Sequence, residues 1–217
     1  MQLSVLEFAA PVLTASTASD PIGALGIRMH LARDESIYGQ GDEAEFVYRV
    51  ISGLVRTTRL TDDGRRQIGG FYYAGDMIGL EDENEHCFSA EAMTDCEVLV
   101  VRRRVLDFEA ARDGAIARQL WSAGYRALRK MQSHLVQIGR KTALERVGAV
   151  LAELASRVPG EEVDLPMSRQ DIADYLGLTI ETVSRMFTQL QASGVIVLTG
   201  LRRMRVSNRP ALLKLAA

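Results

Sequence analysis

The sequence predicts an α+β chain. A β-rich N-terminal half of sandwich or jelly-roll type leads into one long helix, then into a small helical module closed by a β-hairpin. Three observations predict this order. Between His30 and Val101, short β-prone runs alternate with glycine turns. From Asp113 to Arg140, apolar residues recur at spacings of three and four. Residues 166–198, PMSRQDIADYLGLTIETVSRMFTQLQASGVIVL, read as two short helices, a tight turn and a strand.

Residues 1–26 are rich in Ala, Ser, Thr and Pro and lack periodicity. They read as a loosely ordered N-terminal arm with a short helix near its end. The opening MQLSVLEFAAPVLTASTASD has no basic region, so no signal peptide is expected, and no apolar run reaches the length of a membrane span. Two cysteines, Cys87 and Cys96, cannot build a disulfide framework, and a cytoplasmic location is expected.

Residues 27–112 form the β-rich unit. Its runs are Phe46–Ile51, Val55–Leu60, Gln67–Tyr73 and Val98–Val101, separated by turns at Gly39–Gly41, Gly53, Gly64 and Gly75. LTDDGRRQIG reads as a hairpin with Asp63–Gly64 at its tip. A metal-dependent enzyme on this scaffold needs several His or carboxylate ligands from adjacent strands. The three histidines, His30, His86 and His134, have no paired spacing, so no metal site and no catalytic residue is expected.

Residues 113–140 form the long helix. Trp121, Gly124, Leu128, Met131, Leu135 and Ile138 make a continuous a/d seam, the pattern of a helix that pairs with another. Gly124 costs about 1 kcal/mol of helix propensity, which close approach of two backbones would explain. Leu120 and Tyr125 are expected to lie against the β-rich unit instead. A second helix, Ala143–Arg157, ends before Pro159–Gly160, and GEEVD reads as a linker.

Residues 141–217 close the chain. Ser168 stands where an N-cap is wanted, with Asp171 three residues on to complete a capping-box-like pair. Ile172, Ala173 and Leu176 form an apolar stripe, and Gly177 breaks the helix. Thr179 then caps a second helix with two faces. Val183, Met186, Phe187 and Leu190 face inward; Glu181, Ser184, Arg185 and Thr188 face outward. The runs Val195–Leu198 and Met204–Val206 flank Thr199–Gly200 as a hairpin wing, with Arg202 and Arg203 near its tip.

Spacing alone leaves an ordinary αα-hairpin open, with Glu181 and Arg185 as a surface pair worth about 0.3–0.5 kcal/mol. Charge argues for more. From Pro166 onward, seven basic residues (Arg169, Arg185, Arg202, Arg203, Arg205, Arg209, Lys214) face three acids (Asp171, Asp174, Glu181), a net +4. The whole chain carries −2, so residues 1–165 carry −6. A basic end on an acidic body is the footprint of a nucleic-acid-binding module, and a helix-turn-helix puts its second helix in the major groove.

These residues together resemble the CRP/FNR superfamily of bacterial transcription regulators, over residues from about 30 to the end. YGQGDEAEFVYRVISGLVR and GFYYAGDMIGL are similar to its β-roll, and SRQDIADYLGLTIETVSR to the helix-turn-helix of its FNR and FixK branches. The resemblance implies a β-roll (a double-stranded β-helix of the cyclic-nucleotide-binding kind), a long dimerisation helix and a winged helix-turn-helix. It also implies a homodimer on a palindromic double-stranded operator of the TTGA-N6-TCAA type, with RNA polymerase as partner. Glu181, Ser184 and Arg185 then read bases. Chemistry agrees: arginine donates bidentately to guanine, glutamate accepts from cytosine N4, and serine lets the helix lie close. Ser168, Arg169, Thr179, Thr182, Thr188 and Arg202 are expected at the DNA backbone.

The expected effector is none. The cyclic-nucleotide branch holds phosphate with an Arg-Ser pair; here Gly79–Leu80–Glu81 and Cys87–Phe88–Ser89 occupy the corresponding places, and residues 81–85 are an acidic run. The iron–sulfur branch needs four cysteines, and the N-terminal arm has none. A haem- or other small-ligand-sensing regulator, with His134 as the haem ligand, is the alternative within the fold. A β-roll binding protein whose basic tail meets an acidic protein is the alternative outside it. Cys87 and Cys96 read as packed small hydrophobes. The resemblance therefore implies a cofactor-free, non-enzymatic, FixK-like activator for low-oxygen or nitrogen-oxide respiration or nitrogen fixation.

Overall fold

A computed structural model describes residues 20–81 and 84–216. The N-terminal arm to residue 19, and Asp82 and Glu83 of the acidic run, lie outside the described residues. The helical turn expected near the end of the arm is a 3-10 turn, Gly23–Leu25.

Eight strands follow: β1 (Ile27–Leu31), β2 (Ser36–Tyr38), β3 (Phe46–Ser52), β4 (Leu54–Leu60), β5 (Arg66–Tyr73), β6 (Met77–Ile78), β7 (Ser89–Ala92) and β8 (Cys96–Arg102). They form two antiparallel four-stranded sheets, in the orders β1-β8-β3-β6 and β2-β7-β4-β5. Period-2 alternation puts Val50 and Val98 of one sheet, and Val55, Ala90 and Ala92 of the other, in a shared core. The opposite face of the first sheet buries Val47, Leu99 and Val101 against α1 (Arg103–Ala110) and α2 (Gly114–Arg140).

The β4–β5 hairpin turns at Thr61–Arg65, with Gly64 at φ 78°, as the Asp63–Gly64 tip requires. A bulge falls where Thr57 pairs with Gly70 but Thr58 pairs with Ile68, leaving Gly69 unopposed. A Cβ on Gly69 would stand 2.6 Å from the Phe88 ring, so the missing side chain makes room for that aromatic.

Asp113 caps α2, its carboxylate accepting from the Ala115 amide at 2.7 Å. Of the two residues expected against the roll, Leu120 packs there, whereas Tyr125 is exposed. The helix meets the roll through Ile116 and Ala123, and Tyr125 falls off that stripe. After Lys141, a Thr142–Glu145 capping box starts α3 (Ala143–Ser156).

The segment GEEVD corrects the linker reading. Glu162–Asp164 is β9, which pairs antiparallel with β11 (Arg203–Val206), itself paired with β10 (Ile196–Gly200). The wing is thus a three-stranded sheet with Val163 and Met204 buried at the same register. α4 (Arg169–Leu176) and α5 (Ile180–Ala192) lie between β9 and β10 in sequence, and α6 (Arg209–Ala216) ends the chain on α3.

One apolar core runs from Leu54, Ile68 and Phe71 of the second sheet through Leu151, Ile172 and Phe187. Tyr175 is its hinge point. It stacks on His134 of α2 at 4.1 Å and meets Phe71 edge-on at 5.0 Å. Burial holds His134 below the usual histidine range, against a weaker opposing contribution from the Tyr175 backbone. Its ring is part of this junction.

Candidate nucleic-acid interface

The two short helices take the form their sequence dictates. Ser168 accepts from the Asp171 amide at 3.0 Å while Asp171 reaches back to the Ser168 amide at 2.9 Å, closing the capping box of α4. Gly177 ends the helix in the left-handed region at φ 62°, which a side chain would strain. Thr179 restarts the chain, its hydroxyl accepting from the Thr182 amide at 3.2 Å. On α5, Val183, Phe187 and Leu190 are buried, Met186 is half-buried, and Glu181, Ser184, Arg185 and Thr188 are exposed on one face.

That face is set for hydrogen bonding. Arg185 donates to the Thr182 hydroxyl at 3.1 Å, which leaves guanidinium N–H groups for another acceptor. The Glu181 amide, the Thr179 hydroxyl and the nearby Arg185 charge hold the Glu181 carboxyl below the usual carboxylate range, so it stands as an ionised acceptor. Thr188 donates to the Ser184 carbonyl at 3.1 Å.

The residues expected at the DNA backbone divide into two kinds. Thr179 and Thr182 sit at the α5 N-terminus, and Arg202 is exposed at the wing turn beside Leu201. Ser168 and Arg169 are differently occupied. The Ser168 hydroxyl is 2.8 Å from Asp171 Oδ2. The Arg169 guanidinium lies over Phe187, 3.1 Å from the ring centroid, and burial pushes its pKa down to about 10, so it stays protonated at neutral pH. Reaching a phosphate requires it to leave that ring.

Two more of the basic side chains are engaged within the chain. Arg203 pairs with Asp164 at 3.1 Å, and Arg209 donates to the Ala155 carbonyl at the end of α3. Arg185, Arg202 and Arg205 are exposed on the module.

The expected pairing seam on α2 is uncovered within the chain. Trp121 and Leu135 are 79% and 73% exposed, and Leu128 and Met131 are exposed too. Ile138 is half-buried. A Cβ on Gly124 would meet nothing within 4 Å, so its lack of a side chain answers no packing need inside one copy. Exposed Tyr125 and Val136 widen the apolar face. Tyr125 is expected from the sequence against the roll, and Val136 goes unmarked there because it falls outside the a/d positions.

Aromatic rings crowd the roll around Gly79 and Gly69. His86 is buried beside Gly79 and stacks on Tyr38 at 3.7 Å, with Glu81 3.4 Å from its Nδ1. Phe88 packs over Gly69. Arg103 donates to the carbonyls of Ala44, Gly79 and Glu81. Between β5 and α2 a cavity of about 20 Å³ is lined by Tyr72, Met77, Ala123 and Lys130, room for about one water. Cys96 is buried with its thiol against the Leu54 carbonyl at 3.3 Å, and Cys87 is half-buried. Among the described residues no group of three or more His, Cys, Asp or Glu is placed to hold a metal ion, and no helix is long and apolar enough to cross a membrane.

A β-roll, a long helix with an open apolar seam, and a winged helix-turn-helix with a polar face define a transcription regulator built to hold DNA at its C-terminal end. The chain belongs to the CRP/FNR family, in its FixK-like branch. Residues 165–196 match the family described as bacterial regulatory proteins, crp family, and residues 28–113 match the cyclic nucleotide-binding domain. The nitrogen fixation regulation protein FixK of Azorhizobium caulinodans is 46% identical over 200 residues, covering 89% of this chain and 81% of that protein. FixK of Rhizobium meliloti is 42% identical over 177 residues, covering 81% of each. The structure of FixK2 from Bradyrhizobium japonicum superposes with a TM-score of 0.82 at 44% identity, covering 88% of this chain and 98% of that one.

Proposed function

We propose that the protein is a cytoplasmic homodimeric activator that binds TTGA-N6-TCAA-like palindromes without a cofactor and acts through RNA polymerase. The observation that carries this reading is the exposed face of α5. Glu181, Ser184 and Arg185 stand together on a helix whose other side is locked by Val183, Phe187 and Leu190. In the complex Arg185 donates to guanine O6 and N7, and Glu181 accepts from cytosine N4. Thr179, Thr182 and Arg202 meet phosphates and fix register; Ser168 holds the helix that carries Arg169. Pairing of α2 across a two-fold axis sets the half-sites about 34–36 Å apart. The FixK relatives, named as nitrogen fixation regulation proteins, support nitrogen-fixation genes as the targets.

Titration of the protein against a TTGA-N6-TCAA duplex and a random duplex at several salt concentrations tests this. Specific binding is expected to exceed random binding by at least about a thousandfold, and both are expected to weaken steeply with salt. Equal affinity for the two duplexes would overturn it, and binding only to an acidic protein would favour the other use of the basic tail.

Because the phosphate-binding arginine of the cyclic-nucleotide branch has no counterpart at Cys87–Phe88–Ser89, millimolar cAMP is expected to leave operator affinity unchanged. A ligand shifts an equilibrium only through differential binding to its two states. A tenfold rise in affinity on adding cAMP would overturn the cofactor-free reading.

A further inference from the structure

The contact between the roll and the DNA-facing module is polar as well as apolar. Two guanidinium groups of the roll, Arg56 on β4 and Arg66 on β5, converge on α4. Asp171 Oδ1 accepts from Arg56 at 2.9 Å and from Arg66 at 2.7 Å, while its Oδ2 completes the capping box. Arg66 also donates through Nε to Asp174 at 2.7 Å, and the other Asp174 oxygen accepts from Gln170 at 2.6 Å. Arg56 forks onto Glu91 of β7 through Nε and Nη2. Gln67 donates to the Asp174 backbone carbonyl at 3.1 Å. The Asp171 side chain is 7% exposed. Its burial opposes ionisation, but the Ser168 amide and hydroxyl and the two guanidinium groups outweigh it and hold the carboxyl below the usual range.

Such a cluster contributes little net stability, since desolvation of the charges offsets most of their attraction. Its directionality is another matter. The apolar contact through Phe71 and Tyr175 is non-directional and tolerates sliding, whereas paired guanidinium–carboxylate bonds hold only in one register. α4 passes its orientation to α5 through the short turn at Gly177, so the attitude of Glu181 and Arg185 follows from where α4 is pinned. A palindrome demands that both copies agree in this attitude at once.

We propose that Arg56 and Arg66 are positioning residues for DNA recognition: the roll fixes the base-facing helix by pinning Asp171 and Asp174 of α4. This rests on the DNA-binding reading above. Arg66 also lines the groove toward Thr179 and Thr182, so a direct phosphate contact is the competing role.

The test uses the full chain with Arg66→Met, which keeps the aliphatic stem, Arg66→Lys, Asp174→Asn and the Met/Asn double variant. Arg66→Met is expected to lower operator affinity about tenfold, with random-duplex affinity, salt slope and dimerisation as in wild type; Arg66→Lys is expected to recover part of the loss. Adding Asp174→Asn to Arg66→Met should cost little more, because the two act through one bond. Hydrogen exchange should quicken together in residues 66–73 and 169–176. Exchange that stays at the wild-type rate in Arg66→Met, or losses that multiply in the double variant, would overturn the proposal. A fall in salt slope would assign Arg66 to phosphate instead. A wild-type protein that binds neither duplex, while exchange quickens in the variant, would sink the DNA-binding reading and leave the pinning of α4 standing.

Discussion

Leu135→Asp is expected to give a folded monomer. Within one copy Leu135 touches little, being 73% exposed, so the substitution alters a surface position of α2. Surface changes of this kind alter the fold of one copy by no more than about 0.5 kcal/mol, so circular dichroism should match wild type, while the melt loses the part that dimerisation contributes. Across the two-fold axis the same side chain would meet its own copy or a neighbour in the seam. An unpaired carboxylate there costs several kcal/mol, and it is present twice. The loss is set against the apolar gain of the whole seam, about 1.5–3 kcal/mol for each large side chain fully buried. Sedimentation at micromolar concentration reads the result. A dimer that survives the substitution would place the pairing surface elsewhere, for instance on the flank carrying Tyr125 and Val136.

What is legible in the sequence depends on whether a signal is local. The capping box at Ser168 and Asp171, the left-handed Gly177 and the two faces of α5 follow from residues within four positions of one another, and the structure reproduces them. The long helix is equally plain, because its period persists over many turns. Short or distant pairings are not. β9 reads as a linker because three residues, Glu162–Asp164, carry no alternation that could mark a strand until β11 is beside them. α6 does carry a local signal. Asn208 caps it, accepting from the Ala211 amide at 3.0 Å, with Pro210 in the first turn.

The candidate site divides along the same line. Exposure of Glu181, Ser184 and Arg185 is predictable from helical periodicity. The burial of Arg169 on Phe187 is not, since it depends on α5 crossing close to the start of α4. Spacing to Ser168 gives Asp171 one job, the cap. Its second set of partners lies more than a hundred residues upstream, where Arg56 and Arg66 look like ordinary charges on a half-exposed sheet.

Arg185→Ala is expected to remove base discrimination without flattening the salt dependence, the largest functional loss of any single change on the module. One bidentate arginine–guanine contact is worth about 1–3 kcal/mol, and a palindrome contains two, so operator affinity should fall by about 2–6 kcal/mol. Preference at the guanine of TTGA should relax, while the other positions keep theirs. Glu181→Ala should resemble it in altering sequence preference. Arg202→Ala should act differently, weakening specific and random duplexes alike. Its salt slope should drop by about 0.9 for each phosphate left without its arginine, or about 1.8 for the dimer. The α5 fold should survive all three, since these side chains are exposed and the helix is held by Val183, Phe187 and Leu190. Titrations against the palindrome, guanine-substituted palindromes and random duplex at several salt concentrations separate the two patterns. If Arg185→Ala kept full discrimination at the guanine while Arg202→Ala abolished it, the wing, with Leu201 and Arg202 at its turn, would be the element that reads sequence.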